Sequence, residues 1–221
     1  MKTFNSAVIF DMDGVIIDTE PLYTKAEIRL FGEYGVEIPE EDWSLFRGCS
    51  ESTFFDLSMD RYGITEDREI FINKGRQYVR DEFLQHLAFM PGFKSLHKRV
   101  ISCYKTGLVT ASPRHNLDWV TGLIGLDKYF SQIISGDDTE NNKPHPEPYL
   151  AMLERLSVIP ENSIVVEDSL HGIKSALAAG CHVIAKTGSI PKEELSIAHR
   201  IVEHLDDITL PFLDELLQEI L

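Results

Sequence analysis

Four groups of residues carry the side chains that could do chemistry. Asp11 and Asp13 stand in DMDGV, two carboxylates one residue apart with a permissive glycine behind them. Carboxylates this close repel one another unless a proton or cation lies between them. A hard divalent cation suits them, because it takes few carboxylates and completes its shell with water and phosphate oxygens. Thr110 and Ser112 stand in GLVTAS, where a hydroxyl can donate to an anionic oxygen. Lys143 stands in NNKPHPEPY, a loop stiffened by Pro144, Pro146 and Pro148, so its ammonium is expected to have a fixed target. Glu167 and Asp168 stand in VVEDSLHG. Alone, each group has an ordinary explanation: an acidic turn, a strand-end hydroxyl, a solvated lysine, an acidic helix cap.

The elements that must position them are legible as alternating runs. Ala7 to Phe10 is a short apolar run ending at Asp11 and reads as a buried strand. Runs of the same form span Gly107–Thr110, Gln132–Ser135, Ser163–Val166 and His182–Ala185, with a weaker one at Arg200–Val202. Helical periods lie between them at Leu117–Ile124, Glu147–Leu156 and Leu170–Ala179, and Pro211–Leu221 reads as a closing helix. Strands alternating with helices predict a doubly wound parallel α/β sheet. In such a sheet, ligands gather at the carboxyl ends of the strands, where all four groups fall. Residues 19–87 break the rhythm. Pro21–Tyr34, Glu51–Tyr62 and Glu66–Leu87 all read as helical with no strand between them. The expected organisation is a core of residues 1–18 and 88–221, with a helical cap of residues 19–87 inserted after the first strand.

Composition narrows the classes. The 221 residues carry a net charge of −15, so the basic footprint of a nucleic-acid binder is absent, and a phosphate site needs local cations. The three cysteines are widely spaced, which suggests neither a disulfide framework nor a zinc site. No run approaches the ~20 apolar residues of a membrane span. The N-terminal apolar run is too short for a signal peptide. The expectation is a cytoplasmic enzyme, a monomer, acting on a small molecule without nucleic-acid or membrane partners.

Together, FDMDGVIIDTEP, the Thr110 strand end, KPHPEPYL and VVEDSLHGIKSALAAG resemble the haloacid dehalogenase superfamily over the whole chain. The helical insertion resembles that of its beta-phosphoglucomutase-like and sugar-phosphate phosphatase branch. The resemblance implies a Rossmann-like core and Mg²⁺. It makes Asp11 the nucleophile that forms an aspartyl-phosphate, and Asp13 the general acid/base with its backbone carbonyl on the metal. Thr110 and Lys143 match the phosphate-binding hydroxyl and lysine, with Ser112 beside them. Asp168 matches the metal-binding carboxylate, and Glu167 stands beside it as a ligand either through water or from behind.

The cap departs from the mutases. Tyr23 stands where they carry a histidine after DTEPL, and Glu51 of RGCSEST stands where they carry a phosphate-binding arginine. Lys74 matches a mutase cap lysine, and Arg47 could supply a cation nearby. Tyr23, Arg47 and Lys74 are therefore candidate substrate contacts. The expected activity is a Mg²⁺-dependent phosphatase for a small phosphorylated metabolite, a sugar or polyol phosphate. The alternatives are a phosphosugar mutase and a non-catalytic binding protein on the same fold. A dehalogenase is disfavoured by Asp13, which the dehalogenases of this superfamily lack. Arg114 and His115 suit a helix start, and Trp43 suits packing.

Overall fold

The computed structural model describes residues 4–46 and 51–219, which fall into two compact units, residues 1–18 with 88–221 and residues 19–87. The first unit is built on six strands: β1 (Ala7–Phe10), β2 (Lys105–Val109), β3 (Ile133–Ile134), β4 (Ser163–Glu167), β5 (His182–Lys186) and β6 (Arg200–Val202). All pair in parallel in the order β3-β2-β1-β4-β5-β6. β1 lies between β2 and β4, so the order reverses at β1, the place where open α/β sheets form their ligand crevice.

The apolar runs follow from this topology. Strands covered on both faces need no polar side, and every residue of β1, β4 and β5 is buried. Ile9, Val109, Val165, Val183 and Ala185 face one cluster with Tyr149, Met152 and Leu153 of α7 (Glu147–Leu156) and Ile173 and Ala176 of α8 (Leu170–Ala178). In register, Phe10 pairs with Leu108 and Val166, and the Asp11 amide continues the ladder to the Val166 carbonyl at 3.0 Å. The carboxylate of Asp11 therefore leaves the sheet at its centre.

Among its described residues the second unit holds four α-helices: α1 (Glu20–Gly32), α2 (Trp43–Phe46), α3 (Glu51–Tyr62) and α4 (Arg68–His86). Its core is aromatic. Phe31, Phe46, Phe54, Phe55 and Phe71 pack mostly edge to face, the arrangement that ring quadrupoles favour. Trp43 packs against this cluster. Asp67 caps α4 by accepting from the amides of Glu69 and Ile70.

The structure departs from the sequence reading at element ends. α5 (Phe93–Val100) fills a stretch where the sequence reading places no element, although its buried Phe93, Leu96, His97 and Val100 keep helical spacing over its eight residues. The strand expected at Gly107–Thr110 begins at Lys105 and stops at Val109, leaving Thr110 just beyond the end. β3, expected at Gln132–Ser135, is two residues long and lies at the sheet edge with β2 as its neighbour. The remaining helices of the first unit are α6 (Arg114–Ile124), α9 (Lys192–Leu195) and α10 (Leu210–Leu216). α10 ends early because its last amides bond three residues back, Gln218 to Glu215 and Glu219 to Leu216.

Candidate active site

The site is assembled at the carboxyl ends of β1, β2 and β4. After Asp11 the chain turns at once. Ile16 and Ile17 donate to the Met12 carbonyl, at 2.8 and 3.0 Å, and Gly14 donates to Ile17 at 2.8 Å. Gly14 has φ +70°, and a Cβ there would strike the Asp168 carboxylate. Only glycine meets both the left-handed backbone and the close approach of this loop to Asp168.

Lys143 reaches the centre from the loop before α7. That loop is pinned by the Glu147 carboxylate, which accepts from the amides of Glu140 (2.8 Å) and Asn141 (3.0 Å) and from Asn141 Nδ2 (2.8 Å). Ser175 Oγ on α8 donates to the His145 carbonyl at 2.6 Å and ties its other end. The Lys143 side chain is 4% exposed, and its ammonium gives its three protons to Asp11 Oδ1 (2.6 Å), Glu167 Oε1 (2.6 Å) and the Val109 carbonyl (3.0 Å). A buried ammonium with all protons placed has a fixed direction, as the prolines around it led one to expect.

Glu167, the last residue of β4, is fully buried and saturated. Its Oε1 accepts from Lys143 and from the Tyr149 hydroxyl (2.9 Å). Its Oε2 accepts from the amides of Asp168 (3.0 Å) and Ser169 (3.1 Å) and from Ser169 Oγ (3.0 Å). α8 crowds it so closely that a Cβ on Gly172 would overlap the carboxylate. Asp168 is held from the other side by the Ser189 hydroxyl, in the loop after β5.

Thr110 donates its backbone amide to the Ile134 carbonyl at 2.9 Å, and its Oγ1 accepts the Ser112 amide at 3.0 Å. That leaves the hydroxyl proton for an incoming acceptor. Ser112 Oγ donates to Asp13 Oδ2 at 3.4 Å.

The electrostatics show a shortage of positive charge. Burial pushes the Asp11 carboxyl well above the usual range. Lys143 opposes this, while Glu167, Asp168 and Asp13 add to it. Asp168 is pushed up to about 7 by burial and by the Glu167 charge, against the pull of the Ser189 bond. Glu167 goes the other way. Burial resists its ionisation, but Lys143 and the donors around it outweigh burial and hold it below the ordinary value. Burial would deprotonate Lys143, yet Asp11 and Glu167 keep it charged. The Tyr149 phenol is held well above its usual value by burial and by Glu167.

Four carboxylates thus share one ammonium. Ligand oxygens of Asp11, Glu167 and Asp168 lie within 4.8 Å of one another, the one such acidic cluster among the described residues. Since both oxygens of Glu167 already have donors, Asp11 and Asp168 are the members left to face a cation. Buried, mutually repelling carboxylates with raised affinity for protons fit a hard divalent ion.

The structure brings together Asp11, Lys143, Glu167 and Asp168, and separately Asp13 with Ser112 and Ser112 with Thr110. It gives Arg114 a helix-start role, its amide on Asp137 and its guanidinium on Asp138, and leaves His115 exposed. In the helical unit, Tyr23 is exposed with its ring edge-on to Phe83 at 5.4 Å. Lys74 lies 3.4 Å from Glu33 and 3.6 Å from Glu66 and donates to the Tyr34 hydroxyl at 3.0 Å. Glu51 is clamped by Arg76 through two bonds of 2.9 and 2.8 Å. Arg47 lies outside the described residues.

Sequence reasoning missed three contributors. Tyr149 was visible in KPHPEPY but had no expected partner. Ser169 carried the mark of a helix cap, and it does cap α8 by accepting from Gly172 at 3.0 Å. Ser189 could have been found by extending the strand-end rule to β5.

With this geometry in view, the likeness to known proteins is specific. The family model of haloacid dehalogenase-like hydrolases matches residues 8–186, so the chain belongs to that family. It is 37% identical over 175 residues to a phosphorylated carbohydrates phosphatase of Thermotoga maritima, covering 79% of this chain and 81% of that one. It is 29% identical over 222 residues to hexitol phosphatase B of Escherichia coli, covering 95% and 93%. Among solved structures it resembles a Thermotoga maritima protein provisionally described as a beta-phosphoglucomutase. The TM-score is 0.83 and the identity 33%, over 95% of this chain and 99% of that one. No helix among the described residues is long and apolar enough to cross a membrane.

Proposed function

We propose that this hydrolase removes phosphate from a small phosphorylated metabolite, a sugar or polyol phosphate, through an aspartyl-phosphate on Asp11. The observation that carries the reading is the position of the Asp11 carboxylate. It sits at the centre of the sheet's carboxyl edge with one oxygen held by the buried Lys143 ammonium.

An Asp11 oxygen attacks phosphorus, and the bond from phosphorus to the substrate oxygen breaks. Asp13 gives its proton to that leaving oxygen. Asp13, now a carboxylate, takes a proton from water as the water attacks the aspartyl-phosphate, releasing inorganic phosphate and restoring Asp11. One carboxyl group serves both halves because each needs a proton moved at the same place. Lys143 and Thr110, with Ser112 beside them, offer hydrogen bonds to the phosphoryl oxygens. Asp11, the Asp13 backbone carbonyl and Asp168 would hold Mg²⁺, which supplies charge neutralisation for the transferring phosphoryl group. Glu167, its oxygens already occupied, serves as the seat of Lys143.

The helical unit is proposed to select the substrate through Tyr23, Arg47 and Lys74. Lys74 would have to exchange Glu33 or Glu66 for a phosphate oxygen. The relatives that act on phosphorylated carbohydrates and hexitol phosphates support the substrate class.

The solved beta-phosphoglucomutase-like structure keeps a mutase as the second reading. A mutase needs a second phosphate site built from cations. Here Glu51 stands at the arginine position, and its charge is already matched by Arg76. Incubation with beta-glucose 1-phosphate and a trace of glucose 1,6-bisphosphate separates the two. Free phosphate without glucose 6-phosphate is expected; rapid glucose 6-phosphate with little free phosphate would establish the mutase. A panel of sugar and polyol phosphates with Mg²⁺, with EDTA abolishing turnover, completes the test.

A further inference from the structure

Tyr149 is fully buried in the first turn of α7, and its two ends touch the two members of the ion pair behind Asp11. The hydroxyl donates to Glu167 Oε1 at 2.9 Å, and the ring centroid lies 5.0 Å from Lys143 Nζ. Packing alone would be served by phenylalanine. A buried phenol adds a polar group that must find a partner, so its presence calls for a reason.

The reason lies in the arithmetic of donors and acceptors. An ionised carboxylate offers about four lone-pair sites, two on each oxygen. Three donors of the β4–α8 turn crowd onto Oε2 of Glu167, one more than its lone pairs, and leave it nothing to spare, while Oε1 is divided evenly between Lys143 and Tyr149. Without the phenol, Oε1 would turn both lone pairs to the ammonium. Lys143 would relax toward Glu167 and away from Asp11, the direction in which a phosphoryl group must be met.

Resting on the phosphatase reading of the site, we propose that Tyr149 is a positioning residue for Lys143. Its hydroxyl fills the second acceptor direction of Glu167 Oε1, and its ring backs the ammonium, so that one N–H stays aimed at Asp11 and the phosphoryl group upon it. The same residue explains why a glutamate rather than a smaller acid ends β4. Glu167 is long enough to meet the β4–α8 turn, Lys143 and α7 at once.

The test compares Tyr149→Phe with Tyr104→Phe. Tyr104 is also buried, and its hydroxyl donates to Asp214 Oδ1 at 2.5 Å, but it precedes β2 at the opposite end of the sheet. Each variant is assayed with p-nitrophenyl phosphate for kcat and KM, with inorganic phosphate for its inhibition constant, and by thermal unfolding. Tyr149→Phe is expected to lower kcat/KM by about 10- to 100-fold, by analogy with the loss of a partner that orients a metal ligand, and to weaken phosphate inhibition. Tyr104→Phe should leave both parameters within about twofold at a comparable loss of Tm. Tyr149→Leu, which also removes the ring, should fall further.

Unchanged kinetics and phosphate inhibition in Tyr149→Phe would overturn the proposal. So would losses that track Tm equally in the two phenylalanine variants. If Tyr149→Phe does not fold, 3-fluorotyrosine at position 149, a stronger donor of the same shape, carries the test, and unaltered kcat and phosphate inhibition overturn it. An unaltered enzyme that neither turns over p-nitrophenyl phosphate nor gains stability from inorganic phosphate would remove the phosphatase reading itself, and this proposal with it.

Discussion

Some ion pairs of the two units are held in opposite ways, although the helical unit also buries a carboxylate, Asp42, against Arg61. In the sheet unit, Lys143 and Glu167 are almost wholly removed from water and meet every donor and acceptor they have. In the helical unit, Glu51–Arg76 and Arg68–Asp56 lie on the surface with more than 40% of each side chain exposed. Their geometry is no worse, but water competes for every bond. A buried pair costs several kcal/mol per ion to desolvate and survives only when fully satisfied, whereas an exposed pair is worth about 0–1 kcal/mol. The difference teaches where chemistry can be stored. A site that must aim a charge places it where moving it is expensive.

The comparison is broken most severely at Asp11. Asp11→Asn keeps the shape but cannot attack phosphorus, and turnover should fall by a factor on the order of 10⁴ or more, as when other nucleophiles are removed. Turnover of a phosphate ester within tenfold of the unaltered enzyme would place the nucleophile elsewhere.

Next is Lys143→Met. It strands two buried carboxylates, and breaking such a pair costs about 3–5 kcal/mol. Urea unfolding should show this loss together with the loss of turnover. A fall in activity with stability unchanged would mean the pair is less buried than its 4% exposure indicates.

A smaller effect comes from pH. The Asp168 carboxyl rises from an ordinary value near 3.8 to about 7, through burial and the Glu167 charge. A group with a higher pKa folded than unfolded supports folding below its unfolded value. That support is lost as the pH climbs through the folded one. In EDTA, Tm should therefore fall between pH 5 and pH 8, and Asp168→Asn or added Mg²⁺ should flatten the slope. A slope of the same size in Asp168→Asn would assign the titration to another group.

The smallest effect belongs to the helical unit. Glu51→Gln should change unfolding free energy by no more than about 1 kcal/mol, because Arg76 remains hydrated without its partner. A loss as large as that of Lys143→Met would erase the contrast between the units.

Much of this was legible in one dimension. The central strands announce themselves because a strand buried on both faces reads as an unbroken apolar run, as Ala7–Phe10 does; the edge strand Arg200–Val202, only part-buried, reads as a weaker run with the same predicted ends. Asp11, Asp13, Thr110, Lys143 and Asp168 were found because parallel topology puts strand ends at the ligand edge, and a strand end can be read from where hydrophobicity stops. The sequence by itself thus determined the alternating architecture, the long helices and the acids, hydroxyls and lysine of the candidate site.

What it could not determine are the quantities set by distance and by exclusion of water. Lys74 and Lys143 are the same residue type. Only packing makes one a half-exposed cation shared by Glu33 and Glu66, and the other a buried ammonium with three placed protons. Glu167 and Asp168 are adjacent acids, and only the meeting of the α8 turn, Lys143 and Tyr149 saturates the first, while burial leaves the second proton-hungry near pH 7. Tyr149 and Ser189 enter from residues 18 and 21 positions away from the acids they touch. Such pairings leave no local pattern, because a hydrogen bond across a sheet edge depends on where two elements meet in space and not on the spacing between them along the chain.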